Sequence, residues 1–193
     1  MKKILILAGP SGVGKTTLAH ALLNASDRFE LVRSVTTREP RGDSFDSEYI
    51  YISKEEFSRL ISSGGVLEYT EYAGNFYGTP RSEIERIIGE GRAPLLILDL
   101  NGVHTVANSK SDISPCAVYL TAKEEELEAR LRRRYCSDIE KLNSRLEKNI
   151  SERAYFEEIK NDFFAVVESS GNVGKCAEKV IEQFSKFEAI EPR

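Results

Sequence analysis

The chain has 193 residues, of which 40 % are hydrophobic and 30 % charged, with a formal net charge of −4. That length suits one compact domain carrying small insertions. The acidic balance argues against a nucleic-acid-binding surface, while leaving room for a local basic pocket. No apolar run approaches the roughly 20 residues of a membrane span. The short apolar run after Met1-Lys-Lys has no small-residue cleavage site, so neither a leader nor a membrane partner is expected. Three widely spaced cysteines, Cys116, Cys136 and Cys176, form no CxxC pair and fit reduced thiols in a cytoplasmic protein. Two histidines, His20 and His104, supply no metal-ligand cluster.

In chain order, the run Ile4–Ala8 predicts a buried strand and Thr16–Asn24 a helix. Between them lies Gly9-Pro-Ser-Gly-Val-Gly14-Lys15-Thr16, the pattern G-x-x-x-x-G-K-[ST] in its proper setting. Its glycines let the backbone wrap so that N–H groups cradle phosphate oxygens, and the helix N-terminus adds positive partial charge. Gly9, Ser11, Gly12, Val13, Gly14, Lys15, Thr16 and Thr17 are therefore candidates for binding a nucleoside triphosphate. Lys15 can reach the β- and γ-phosphates, and the Thr16 hydroxyl can ligate Mg²⁺. Residues 34–80 depart from strand–helix alternation: they are rich in Thr, Tyr, Gly and charge, with β signals at Glu48–Ile52 and a helix at Lys54–Ser62. Helices are expected at Ser82–Glu90, Lys123–Arg133, Lys141–Lys160 and Gly174–Phe187, and strands at Leu95–Leu100, Ala117–Leu120 and Ala165–Val167. Such alternation predicts an α/β, three-layer fold around a parallel central sheet. The 34–80 stretch and the arginine-rich 132–141 stretch read as insertions at the sheet's mouth, where open α/β folds bind ligands. Gly171-Asn-Val-Gly-Lys175 lacks the eight-residue spacing and is expected to cap the last helix.

The first insertion carries the groups that choose a second substrate. Arg38 and Arg41 place two guanidinium forks three residues apart beside hydroxyls, which suits a phosphate monoester. Tyr49, Glu68, Tyr77, Gly78 and Thr79 follow, and tyrosine or threonine hydroxyls can complete a phosphate cage. In the second insertion, Glu124, Glu125, Glu126 and Glu128 precede Arg130 and Arg132–Arg134. Helix-dipole compensation and i,i+4 pairing account for those charges. Arg130 and Arg134 also share one helix face, which suits a phosphate clamp equally well.

These segments together resemble the guanylate kinase family. The resemblance rests on the G-P-S-G-x-G-K-T loop, S-x-T-T-R-x-P-R at Ser34–Arg41, Glu68 in x-L-E-Y, G-N-x-Y-G-T at Gly74–Thr79 and D-x-N-G-V at Asp99–Val103. It extends to R-L-x-x-R at Arg130–Arg134 and N-x-R-L at Asn143–Leu146, and spans about residues 4–167. It implies a P-loop NTPase core (1–33, 81–122 and 147–193), an α+β GMP-binding insertion (34–80) and a helical lid (123–146). It implies that Ser34 and Glu68, with Asp99, face guanine, and that Arg38, Arg41, Tyr49 and Tyr77, with Thr79, hold the GMP phosphate. Lys15, Thr16, Arg130, Arg134 and Arg145 would serve ATP and the transferring group, so Lys15, Arg38, Arg130, Arg134 and Arg145 are the catalytic candidates. The implied substrates are ATP with GMP or dGMP and the implied metal is Mg²⁺ on Thr16, with Asp99 a further candidate; a monomer or homodimer is expected.

Guanine chemistry agrees with that reading. A carboxylate accepts both the N1 and 2-amino donors of guanine, while a Ser34 hydroxyl donates to O6. The sequence departs from the family pattern at Ile97, where the first acid of a D-x-D is expected, and at Ala165-Val-Val-Glu168, where an asparagine is expected. Two other readings stay open at this point: a guanylate-kinase-like binding module with little turnover, and a kinase for another nucleotide.

Overall fold

In a computed structural model, residues 1–40, 42 and 46–190 are described. Five parallel strands form the central sheet: β1 (Lys2–Ala8), β2 (Phe29–Leu31), β7 (Ala93–Ile97), β8 (Ile113–Thr121) and β9 (Ala165–Glu168), in the order β2-β7-β1-β8-β9. Buried-strand composition explains the middle three, because both faces of a parallel sheet are covered and alternation with polar residues disappears. Successive residues of β1 feed opposite layers. Leu5 and Leu7 pack with Leu18 and Leu22 of α1 (Lys15–Ala25) and with Val180 and Phe184 of α7 (Val173–Ala189). Ile4 and Ile6 face the other layer, with Ile84 and Ile87 of α3 (Arg81–Gly89), Val103 and Val106 of α4 (Leu100–Ala107) and Ile159 of α6 (Ile139–Ile159).

The run Leu95–Leu100 does not stay extended. Strand β7 stops at Ile97, and Asp99 becomes the N-cap of α4, its carboxylate accepting the Gly102 N–H at 2.8 Å. A side-chain acceptor three residues ahead of an unpaired helix donor ends the strand there, although Gly102 and β-branched residues weaken the helical pattern. The last helix starts as expected, with Asn172 accepting from Gly174 and Lys175 N–H groups.

Residues 34–80 build a second sheet from β3 (Ser34–Thr36), β4 (Tyr49–Tyr51), β5 (Val66–Tyr72) and β6 (Asn75–Pro80), in the order β4-β3-β6-β5. Helix α2 (Lys54–Ser62) opens with a capping box between Ser53 and Glu56 and buries Phe57. The arginine-rich stretch is divided between α5 (Glu124–Arg134) and α6. Helix α6 is continuous over 21 residues, so residue 146 is not an element boundary; the segment 123–146 ends part-way along it. No helix among the described residues is long and apolar enough to cross a membrane.

Phe57 is wholly buried, 5.3 Å from the Phe76 ring and 6.2 Å from Tyr69, and anchors the small sheet's own core. Phe57→Ala should therefore cost about 3–5 kcal/mol in urea denaturation. A loss under about 1 kcal/mol would mean that this sheet does not depend on Phe57.

Candidate active site

The phosphate loop leaves the C-terminal end of β1, flanked by β7 and β8, at the centre of the sheet. Gly9 is needed at its root: a methyl group there would lie 2.4 Å from the Leu120 carbonyl oxygen, and φ is +146°. Gly14 is left-handed at φ 99° and caps α1 without a side chain, leaving the N–H groups of the first helical turn to a ligand. Lys15 donates to the carbonyls of Gly9 at 2.6 Å and Pro10 at 3.2 Å, so its ammonium lies along the loop. Burial of that ammonium draws the Lys15 pKa down to about 8; Glu152 and Asp99 oppose the shift, while Lys148 and Arg145 add to it.

Two loop residues do not present their backbone to phosphate. Ser11 gives its N–H to Asn149 at 2.8 Å, and Val13 gives its N–H to the Pro10 carbonyl at 3.3 Å. A cavity of about 530 Å³ is lined by Ser11–Thr17 together with Arg130, Arg134 and Arg145. Arg130 reaches the Val13 carbonyl at 3.1 Å and that of Ser169 at 3.1 Å, and also pairs with Glu126 at 3.1 Å. Arg130 thus both pairs along its own helix and lines the cavity. Arg134 lies over the Tyr135 ring, and Arg145 lies 6.0 Å from the ring centre of Tyr72 on β5.

On the other side, Glu68 is only 8 % exposed. A β-bulge between Val66 and Tyr69 turns Leu67 and Glu68 inward in succession, where a regular strand would alternate them. The Thr79 hydroxyl donates to Glu68 at 2.6 Å, which places Thr79 at the carboxylate rather than in a phosphate cage. A Cβ on Gly102 would come within 3.3 Å of Glu68 Oε2, so the N-terminal turn of α4 closes over this carboxylate. Burial raises the Glu68 pKa and the Asp99 charge adds to it, while the Thr79 bond opposes both.

Arg38 stands over the rings of Tyr49 at 5.3 Å and Tyr51 at 5.5 Å, and Tyr77 meets Tyr49 at 6.2 Å. Ser34 is the register partner of Tyr49, and Val35 that of Gly78, so Ser34, Tyr49, Glu68, Tyr77, Gly78 and Thr79 share one small sheet. Arg38 also bonds to Asp46 at 3.3 Å and to the Tyr51 hydroxyl at 3.2 Å. Arg41 lies outside the described residues. Sequence reasoning missed Asp46, Tyr51, Asn149, Glu152 and Ser169; only Tyr51, in a strand beside Tyr49, carried any local signal.

A guanylate kinase family model matches residues 1–186. The chain belongs to the guanylate kinase family. A guanylate kinase of Latilactobacillus sakei is 34 % identical over 182 residues, covering 93 % of this chain and 88 % of that one. A guanylate kinase of Parasynechococcus marenigrum is 38 % identical over 148 residues, 76 % of this chain and 80 % of its own. The crystal structure of guanylate kinase from Anaplasma phagocytophilum superposes with a TM-score of 0.70 at 26 % identity, covering 98 % of this chain and 87 % of that one. As a member of the guanylate kinase family this chain is a nucleoside monophosphate kinase, a transferase that uses ATP. Its three-layer parallel-sheet fold is the family's P-loop NTPase fold.

With its pKa drawn down to about 8 by burial, Lys15 titrates in the mildly alkaline range. A bound triphosphate favours the charged ammonium, so binding should take up a fraction of a proton in the mildly alkaline range, and the uptake should grow as pH rises through about 8. Calorimetry of ATP in buffers of different ionisation enthalpy reads this directly. Lys15→Met should abolish the uptake; its persistence in that variant would assign the proton to another group.

Proposed function

We propose that the chain transfers the γ-phosphoryl group of ATP to GMP or dGMP, and that residues 34–80 serve as the acceptor insertion and 123–146 as a lid over the remaining core. Glu68 carries the choice of acceptor. A carboxylate buried by a bulge and oriented by Thr79 asks for a partner with two adjacent N–H donors. Guanine offers them at N1 and the 2-amino group, whereas adenine turns a lone pair toward the same oxygen. Mismatches of this kind discriminate by roughly 10⁴-fold. Ser34 would donate to O6, and Asp99, near enough to raise the Glu68 pKa, would lie along the base edge. Arg38, Arg41, Tyr49 and Tyr77 would hold the acceptor phosphate, with Asp46 and Tyr51 keeping the Arg38 guanidinium oriented.

Phosphoryl transfer needs no general base here. The acceptor is a phosphate monoester with a second pKa of about 6, hence largely dianionic at neutral pH. Its oxygen forms a bond to the γ-phosphorus as the bond to the β–γ bridging oxygen breaks, and ADP takes the electron pair. The protein's task is to bring two anions together. Lys15 and the N–H groups at the start of α1 would receive the donor phosphates, and Arg130, Arg134 and Arg145 would surround the transferring group and help exclude water. The Thr16 hydroxyl and Asp99 carboxylate are hard oxygen donors that fit Mg²⁺. No group of three or more His, Cys, Asp or Glu converges among the described residues, so such an ion would rest mainly on nucleotide and water oxygens. When bound, it supplies charge neutralisation on the β- and γ-phosphate oxygens.

A coupled ADP-release assay with GMP, dGMP, AMP and UMP tests the reading. GMP and dGMP should be the best acceptors. Faster use of AMP or UMP would overturn the guanine assignment, and GMP binding without turnover would favour a binding module.

Glu68→Gln exchanges one acceptor oxygen for an NH₂ donor. Its GMP-to-AMP ratio of kcat/KM should fall at least about tenfold, equivalent to roughly 1.4 kcal/mol. In the wild type, acidification should raise KM for GMP as Glu68 protonates and loses its second acceptor. Because burial holds this pKa up, the rise should begin at higher pH than for an ordinary glutamate. A pH profile identical in Glu68→Gln would place the titrating group elsewhere.

A further inference from the structure

Asn149 engages the phosphate loop through both ends of its carboxamide. Its Oδ1 accepts the Ser11 N–H at 2.8 Å, and its Nδ2 donates to the Ser11 carbonyl at 3.1 Å. A carboxamide carries a donor and an acceptor side by side, as a peptide edge does, so the side chain pairs with the loop as a neighbouring strand would. Two parallel bonds fix an orientation as well as a distance. The pair is part-buried and links groups 138 residues apart in sequence.

The C-terminal half of α6 is held by Tyr155 and Phe156, which pack on the core, Phe156 stacking on Tyr119 at 3.7 Å; the Asn149 pair is the hydrogen-bonded tie of its middle turn to the phosphate loop. Along its 21 residues only Leu142 and Ile159 are buried, one near each end. Asn149 lies between them, one helical turn beyond Arg145, so the two side chains project from the same face. Arg145 lines the cavity with the phosphate loop, and the charges of Lys148 and Glu152 reach Lys15 from the same stretch of helix. Asn149 has no part in the proposed chemistry, and both backbone groups of Ser11 are taken by it.

We propose that Asn149 is a positioning residue: it docks α6 on the phosphate loop and thereby sets where Arg145 stands relative to the donor phosphates. The proposal rests on the reading of the loop cavity as the donor site. An α-helix transmits orientation because its backbone bonds close every turn, so an anchor four residues from Arg145 leaves that guanidinium little freedom of approach. Loss of the anchor should act on phosphoryl transfer through Arg145, whereas base recognition at Glu68 should be untouched.

The test is a double-substitution cycle of Asn149→Ala with Arg145→Ala on the full chain. It reads kcat and KM in the ADP-release assay and GMP affinity by calorimetry. Asn149→Ala alone should lower kcat at least about fivefold and leave GMP affinity within twofold. In the Arg145→Ala background the same substitution should change kcat less than twofold, since the group it positions is gone. Equal losses in both backgrounds, or no loss in either, would overturn the proposal, because a general structural role is additive. If Asn149→Ala does not fold, Asn149→Asp takes its place: its carboxylate still accepts from Ser11 N–H but faces the Ser11 carbonyl with a second acceptor. Wild-type turnover with an additive cycle removes the positioning role and keeps the donor-site reading; absence of wild-type turnover removes both.

Discussion

The carbonyls of the glycine-rich loop at residues 9–14 lie outside any helix or strand ladder, and each of them needs a donor. In this chain the donors come from far-flung places. Lys15 serves Gly9 and Pro10, Asn149 serves Ser11, and Arg130 serves Gly12 and Val13. Ser169, just past β9, adds its hydroxyl to Val13, and the Leu18 N–H closes the first helical turn onto Gly14. The outer side of the phosphate loop is therefore where core, α5, α6 and the end of the last strand meet. This arrangement makes a short glycine-rich segment rigid without filling its concave side.

The acceptor half obeys the opposite constraint. There a carboxylate, not a set of N–H groups, is held ready, and burial makes its charge costly. The bulge in β5 directs Glu68 inward, the Thr79 hydroxyl donates to it, and Asp99 stands near enough to add repulsion. Asp99 itself is occupied on one oxygen by capping α4. A ligand with adjacent N–H donors would relieve both desolvation and repulsion. Selectivity for such a base would then follow from the discomfort of the site as much as from its shape.

Much of this was legible in the residues. The eight-residue loop between an apolar run and a helix located the centre of the sheet, because buried parallel strands are uniformly apolar and the loop pattern has few structural alternatives. The arginine, tyrosine and glutamate order in 34–80 pointed to one acceptor site, and Arg38, Tyr49 and Tyr77 do come together. Other features had no local signature. Helix α4 was hidden because a glycine and β-branched residues follow its capping aspartate. Asn149 reads as an unremarkable polar residue on a charged helix, since its partner lies 138 positions away. The inward turn of Glu68 depends on a bulge, a property of strand pairing rather than composition.

The two departures from the family pattern have a physical reading in the fold. Ile97, where a first acid is expected, packs its side chain against the core cluster containing Leu5 and Leu95. A carboxylate there would lie against apolar neighbours, so the isoleucine strengthens the sheet and leaves Asp99 as the acid at the end of this stretch. Glu168 is exposed at the end of β9, and the next residue, Ser169, carries the polar contacts to Val13 and Arg130. The end of β9 is thus tied to the loop and to Arg130 through Ser169 and not through Glu168. The field at Lys15 follows from the same layout, with Asp99 and Glu152 opposed by Arg145 and Lys148. A Lys15 side chain with its pKa drawn down to about 8 in that setting would take up a proton from solvent as a polyanion arrives. If the loop cavity receives the donor phosphates as proposed, their binding would be coupled to protonation of Lys15, and the substrate would complete the electrostatics of the site.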